Sequence, residues 1–153
     1  MKWVTREQVR VGRIGCAWLI RRFIDPAAEF AFAPGAEVAA EAARTGATPF
    51  HAEGMELAQR GDLSSFEVMV EHYQLTGDAA LMLLGKIVGT ADVKGGRWNQ
   101  PEGPGLKAAT EGILVAYPDD AARLQAGAAL YDALYAYCQE MVKRGRVNGM
   151  FVE

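Results

Sequence analysis

The sequence predicts an α+β fold, helix-dominated and in a single domain over residues 1–153, with a small three-stranded sheet drawn from the N-terminal third. Three observations point there. The short runs that alternate in polarity, or gather β-branched and aromatic residues, all fall before residue 52. Beyond that point apolar residues recur at helical spacing. The chain has 153 residues, the size of one domain that buries a core without staples.

Trp3-Val4-Thr5-Arg6 reads as the first strand. From Cys16 to Ile24 the pattern turns helical, with Cys16, Leu19, Ile20 and Phe23 on one stripe, and Asp25-Pro26 ends it. Glu29 to Ala33 alternates with period two and closes at Pro34-Gly35, a second strand. Glu37 to Arg44 is alanine-rich and helical, stopping near Gly46, and Thr48-Pro49-Phe50-His51 is the third strand. Ser64-Ser65-Phe66-Glu67 has capping-box spacing and predicts a helix over Phe66 to Leu75. Asp78 caps another through about Thr90, in which Leu81, Met82, Leu83, Leu84, Ile87 and Val88 are apolar nearly all round, the mark of a central buried helix. Lys94 to Gly105 is a loop rich in glycine and proline, and a helix follows from Leu106 to about Ala116. The longest helix starts at Asp119-Asp120, carries a seam of Leu124, Ala128, Tyr131, Tyr135, Cys138 and Val142, and frays at Gly145. The small sheet is expected to pack on a helical layer.

Half of the residues are apolar and 23% are charged, with a net charge of −3 and a pI near 5.5. That balance argues against direct nucleic-acid binding. The charge is uneven, however. Lys2, Arg6, Arg10, Arg13, Arg21 and Arg22 face the single acid Glu7 within the first 22 residues, so an anion site is expected near the N-terminus. Cys16 and Cys138 form no paired motif, which fits a reducing compartment. The first residues lack a signal-peptide apolar run, and no stretch approaches the ~20 apolar residues of a membrane span. The expectation is a cytoplasmic protein with no membrane association.

Lys2-Trp3-Val4-Thr5-Arg6, followed by the run from Arg13 to Pro26 (Arg-Ile-Gly-Cys-Ala-Trp-Leu-Ile-Arg-Arg-Phe-Ile-Asp-Pro), resembles the opening of the chromate-resistance, ChrB-type, family. The resemblance continues through Pro49-Phe50, Ser65-Phe66-Glu67-Val68, Gly89-Thr90-Ala91-Asp92, Gly105-Leu106 and Leu130-Tyr131-Asp132-Ala133-Leu134-Tyr135, nearly the whole chain. The string from Trp18 to Asp25 is long enough to be specific. The resemblance implies a role in chromate sensing or resistance, with oxyanion or metal binding, and no settled reaction. This chain departs from the family pattern with Ala17 in place of proline, His51 of aspartate, Gln59 of histidine and Ser64 of cysteine. Those changes put an inherited metal set in doubt.

Several residues are candidates for chemistry. Opposite the apolar stripe of the first helix stand Ala17, Trp18, Arg21, Arg22 and Asp25, with Trp18 and Arg22 spaced to stack and Arg21 and Asp25 spaced to pair. Two readings of that face remain: a solvated surface with a local ion pair, or a site where arginine forks capture an oxyanion, with Arg13 and the helix N-terminus adding to it. Cys16 is either a small buried hydrophobe or, if the helix begins at Ala17 as the family proline implies, an N-cap thiolate able to act as a catalytic nucleophile or reductant. A divalent metal (Zn, Fe or Mn) would draw on His51, Glu56, Glu67 and Asp92, although Glu67 is already explained by its capping box. Asp92 follows the C-terminus of an apolar helix, where the dipole disfavours an anion, so a cationic or metal partner is expected. The loop carrying Trp98 is not a phosphate loop; it is a surface connection or a lid over a ligand. The first choice is a small domain binding an oxyanion or a metal–anion pair. The alternatives are a metal- or cysteine-dependent enzyme, and an interaction module in which the Asp119–Lys143 helix forms a homodimer.

Overall fold

β1 (Lys2–Arg6) is the middle strand of a three-stranded parallel sheet of order β2-β1-β3. β2 (Glu29–Ala33) pairs along its whole length, Lys2 opposite Glu29 and Arg6 opposite Ala33, while β3 (Thr48–Pro49) pairs opposite Trp3 and Val4. The computed structural model describes residues 1–147, 150 and 151, with side chains through residue 145. β1 leads into α1 (Val11–Leu19), which continues as a π-helical turn over Ile20–Ile24. β2 leads through a 3₁₀ turn into α2 (Val38–Thr45), which ends at Gly46 in the left-handed conformation (φ 75°).

The chain steps from β1 to β2 on one side, then passes back across β1 to β3. Right-handed connections then put α1 and α2 on opposite faces of the sheet. The side chains agree: Trp3 belongs to the main core with α1, whereas its neighbour Val4 packs with Ala33, Val38, Ala47 and Ala52 under α2. The sheet is therefore covered on both faces rather than on one.

The second half is helical. α3 (Ser65–His72) begins at the complete capping box of Ser64 and Glu67, and α4 (Ala79–Asp92) at Asp78, whose carboxylate accepts the Leu81 N–H. α5 (Gly103–Ala116) and α6 (Asp120–Lys143) follow, the latter capped by Asp119. α4 is buried nearly all round and touches α1, α3, α5 and α6. The α6 seam at Leu124, Tyr131, Tyr135 and Cys138 is buried within this chain, chiefly against α1 and α4. Trp18 stacks on Phe66 and tilts against Tyr131 and Tyr135, with ring centroids 6.4, 5.8 and 5.6 Å away. Burying each such aromatic stabilises the fold by about 1.5–3 kcal/mol. No helix among the described residues is long and apolar enough to cross a membrane.

The fold is α+β, as the sequence predicts, with differences at element ends. α1 starts at Val11, not Cys16. Nearly every α1 residue is buried, so no polar face marked its first turns, and Gly12 and Gly15 lowered the apparent helix propensity. α5 opens at Gly103, with Pro104 in its first turn, three residues before the expected start. A short antiparallel pair, β4 (Arg146–Val147) and β5 (Met150–Phe151), follows α6 and was not anticipated.

Candidate functional site

In a doubly wound parallel sheet, ligands bind outside the carboxyl ends of the strands, where the strand order reverses. Here that point lies between β1 and β3. Arg6 ends β1, Arg10 and Arg13 flank the start of α1, His51 lies two residues past β3, and Asp92 ends α4. All five line one cleft of about 940 Å³, to which Lys94, Trp98 and Lys107 also contribute.

The turn from β1 to α1 is anchored from a distance. The N–H groups of Gln8 (φ 57°) and Val9 both donate to the Asp120 carboxylate, each at 2.9 Å. The Tyr131 hydroxyl donates to the Val11 carbonyl at 2.7 Å. Arg10, at the N-cap of α1, supplies no side-chain cap, and the first turn carries no acid. The positive end of this helix dipole is left uncompensated by its own residues.

His51 takes up the left-handed backbone conformation (φ 48°), an uncommon one outside glycine, and its N–H donates to the Leu57 carbonyl at 2.8 Å. Its Nε2 lies 3.0 Å from Oδ2 of Asp92. The pair rests directly on α1 at Gly12, where a Cβ would collide with both His51 Nε2 and Asp92 Oδ2. Asp92 thus has the cationic-capable partner that its place at a helix C-terminus demands.

Arg13 is the unusual cation. Its Nε is buried with no hydrogen-bond partner, and burial, followed by the nearby charge of Arg6, pulls its pKa below the ordinary arginine value. Among the described residues, Arg6, Arg10 and Arg13 make no ion pair or hydrogen bond through their guanidinium groups, whereas other arginines are engaged. Arg21 donates to the Ala28 carbonyl and lies over Phe30; Arg22 pairs with Asp132 at 2.6 Å and lies over Tyr135. Arg44, Arg60, Arg97, Arg123 and Arg144 pair with Glu41, Glu71, Asp62, Asp120 and Glu140.

The residues singled out in the sequence divide between this cleft and other places. Arg13, His51, Asp92 and Trp98 come together in it. Trp18 does not: it is buried in the core, and its indole N–H donates to Asp132 rather than lying exposed beside the arginines. It does stack with Arg22, at 5.6 Å, but the Arg21–Asp25 pair is absent, because Asp25 instead accepts from the Trp3 indole and the Met1 ammonium. Cys16 is not an N-cap. It sits inside α1 with no exposure, and burial, then Asp92, raises its thiol pKa well above the usual value, which removes the basis for a thiolate nucleophile. Glu56 is exposed and lies 3.6 Å from His72, and Glu67 remains in its capping box while also accepting from the Trp98 indole at 2.5 Å. Among the described residues no three His, Cys, Asp or Glu side chains gather to hold a metal. The Trp98 loop is pinned rather than hinged: its Gln100 N–H donates to Thr90 and Lys86 lies 5.0 Å from the Trp98 ring.

Gly12 and the basic rim of Lys94 and Lys107 were not identified from sequence as parts of a site, and Arg6 and Arg10 entered only as members of the basic N-terminal segment that pointed to an anion site. The strand–turn–helix run from Arg6 to Arg13 was the available signal. A second cleft of about 1000 Å³ adjoins the first, and Arg6, Arg13 and His51 line both.

The chain is 34% identical over 143 residues to Protein ChrB of Cupriavidus metallidurans, covering 94% of this chain and 42% of that protein. It therefore spans less than half the length of that relative. No solved structure matches the chain. Residues 3–138 match the family described as ChrB, C-terminal domain. With the family match and the relative both extending over most of its length, the chain belongs to the ChrB C-terminal domain family.

Proposed function

We propose that this domain binds a tetrahedral oxyanion of the chromate or sulfate type in the cleft between Arg6, Arg10, Arg13 and the start of α1, and that it does so in the cytoplasm. One observation carries the reading: Arg13 holds a buried guanidinium Nε with no partner, beside a second unpaired arginine, at the strand-order reversal. A partly buried cation with an unsatisfied donor costs stability, and an anion that accepts its hydrogen bonds offsets that cost. The uncapped α1 N-terminus adds backbone donors of the same sign. His51, hydrogen-bonded to Asp92 through Nε2, can assist an anion only as a donor.

This moves the arginine site expected from sequence. Arg21 and Arg22 belong to the same helical segment but are occupied by Ala28 and Asp132. A resident divalent metal fits the described side chains poorly. His51 and Asp92 supply two donors where a zinc site uses three or four protein ligands, Glu56 and Glu67 are engaged elsewhere, and Arg13 adds a competing positive charge.

The test is calorimetric titration of the protein with sodium sulfate and sodium chromate at low ionic strength. Arg13→Met should weaken binding at least tenfold, and Arg22→Ala by less than twofold. Wild-type protein that binds neither ion, or an Arg13→Met protein that binds as well as wild type, rejects the reading.

A further inference from the structure

The ion alone leaves most of the space unused. An oxyanion displaces on the order of 60 Å³, about two waters' share, whereas the adjoining clefts measure about 940 and 1000 Å³. Each is of the size that holds a whole organic ligand. Both expose polar and apolar surface in about equal parts, and they differ in how many charged side chains they present. The first is ringed by cations and acids, among them Arg10, Lys94, Glu7 and Glu111. The second has fewer charges, and takes small apolar groups from two segments: Gly35, Ala36, Val38 and Ala39 at and before the start of α2, and Ala52, Met55 and Ala58 after β3. Glu53, Gln59 and Ser65 add polar groups to it.

We infer that the anion bound here is the head group of an organic phosphate ester, with its phosphoryl group at Arg6 and Arg13 and its organic body in the second cleft. The inference rests on the anion reading above and narrows it. Arg6, Arg13 and His51 line both spaces, so a head group at these residues has its fourth substituent free to enter either one. A phosphate ester leaves three oxygens for the arginine donors and directs one bond to carbon away from them. An apolar body placed in the first cleft would strip water from its charged lining, whereas the methyl-sized wall of the second cleft gains from being covered. The second cleft also lies outside the carboxyl edge of the sheet, where doubly wound folds bind their ligands. Gly35 fits this use: a Cβ there would stand 3.3 Å from the Arg6 side chain and crowd the passage between head and body.

The probes are phenyl phosphate and inorganic phosphate, titrated calorimetrically into the full chain. Phenyl phosphate should bind at least tenfold more tightly. Ala39→Trp, at an exposed position on α2 that lines only the second cleft, should bring the two affinities together. Equal affinities in the wild-type protein would overturn the inference and leave the oxyanion reading standing. Tighter phenyl phosphate binding that persists in Ala39→Trp would overturn the placement of the body. Failure of phosphate, phenyl phosphate and sulfate alike would remove both readings.

Discussion

Gly12 leaves open the space in which the His51 imidazole meets the Asp92 carboxylate, for a side chain there would collide with both. Two effects of Gly12→Ala oppose one another. Alanine favours the helix by up to about 1 kcal/mol, while forcing a half-buried pair aside costs about 1–3 kcal/mol. The collision involves both partners of a held pair, so the net should be destabilising by about 1–2 kcal/mol. A urea unfolding curve with a lower midpoint and an unchanged slope is the expected result. A midpoint at or above wild type would mean that the pair moves aside freely.

Arg13 should trade stability against binding. Replacing its partly buried, unpaired guanidinium with the similar-sized Arg13→Met removes a desolvated charge that Arg6 also repels. The unliganded protein should gain roughly 1 kcal/mol and lose its response to sulfate. Thermal melts with and without sulfate read both effects, and a less stable variant would contradict the cause assigned to the Arg13 pKa.

Trp98→Phe should cost about 1 kcal/mol, the loss of the indole hydrogen bond to Glu67. Glu67 keeps the Ser64 N–H and hydroxyl as donors, so α3 should retain its start. Circular dichroism at 222 nm should be unchanged while the melting temperature falls.

Tyr135 ought to titrate late. Burial first, and then the hydrogen bond and charge of Asp78, push its pKa up to about 12. The neutral phenol is favoured in the folded chain, so this contribution is complete below the unfolded value of ~10 and is lost as pH rises from ~10 to about 12. Absorbance at 295 nm should show a tyrosine ionising near the upper limit that Tyr135→Phe removes, and the variant's stability should fall less steeply across that window.

Local rules were legible in the sequence where local chemistry decides the outcome. Ser64, Asp78 and Asp119 announce three helix starts because a side-chain oxygen three residues before a backbone N–H caps it in any context. The apolar girth of α4 likewise declared its burial. The start of α1 stayed hidden because its glycines answer to distant groups: Gly12 to His51 and Asp92, and Gly15 to the Tyr131 hydroxyl, 2.8 Å from where a Cβ would stand. The same remoteness governed the site. Asp92 could be assigned a partner from the helix dipole alone, yet His51 reaches it across 41 positions of sequence. Arg21 and Arg22 looked available until Ala28 and Asp132 took their guanidinium groups, the second from α6. Parallel pairing of β1 with both neighbours leaves no mark in a single strand, so the reversal of strand order that locates the cleft could be read only from the fold.

The burial of α4 has a dynamic consequence. Asp92 is the last residue of a helix enclosed by four others, so the acidic wall of the cleft cannot loosen by fraying a surface element. Amide protons near the middle of α4, at Leu84, Ile87 and Val88, should exchange with deuterium only when the whole domain unfolds. The turn from Glu7 to Arg10 opposite them hangs on Asp120 and should exchange far sooner. One side of the cleft is then as permanent as the domain itself, and the turn that carries Arg10 is the part of its rim that can adjust to whatever enters.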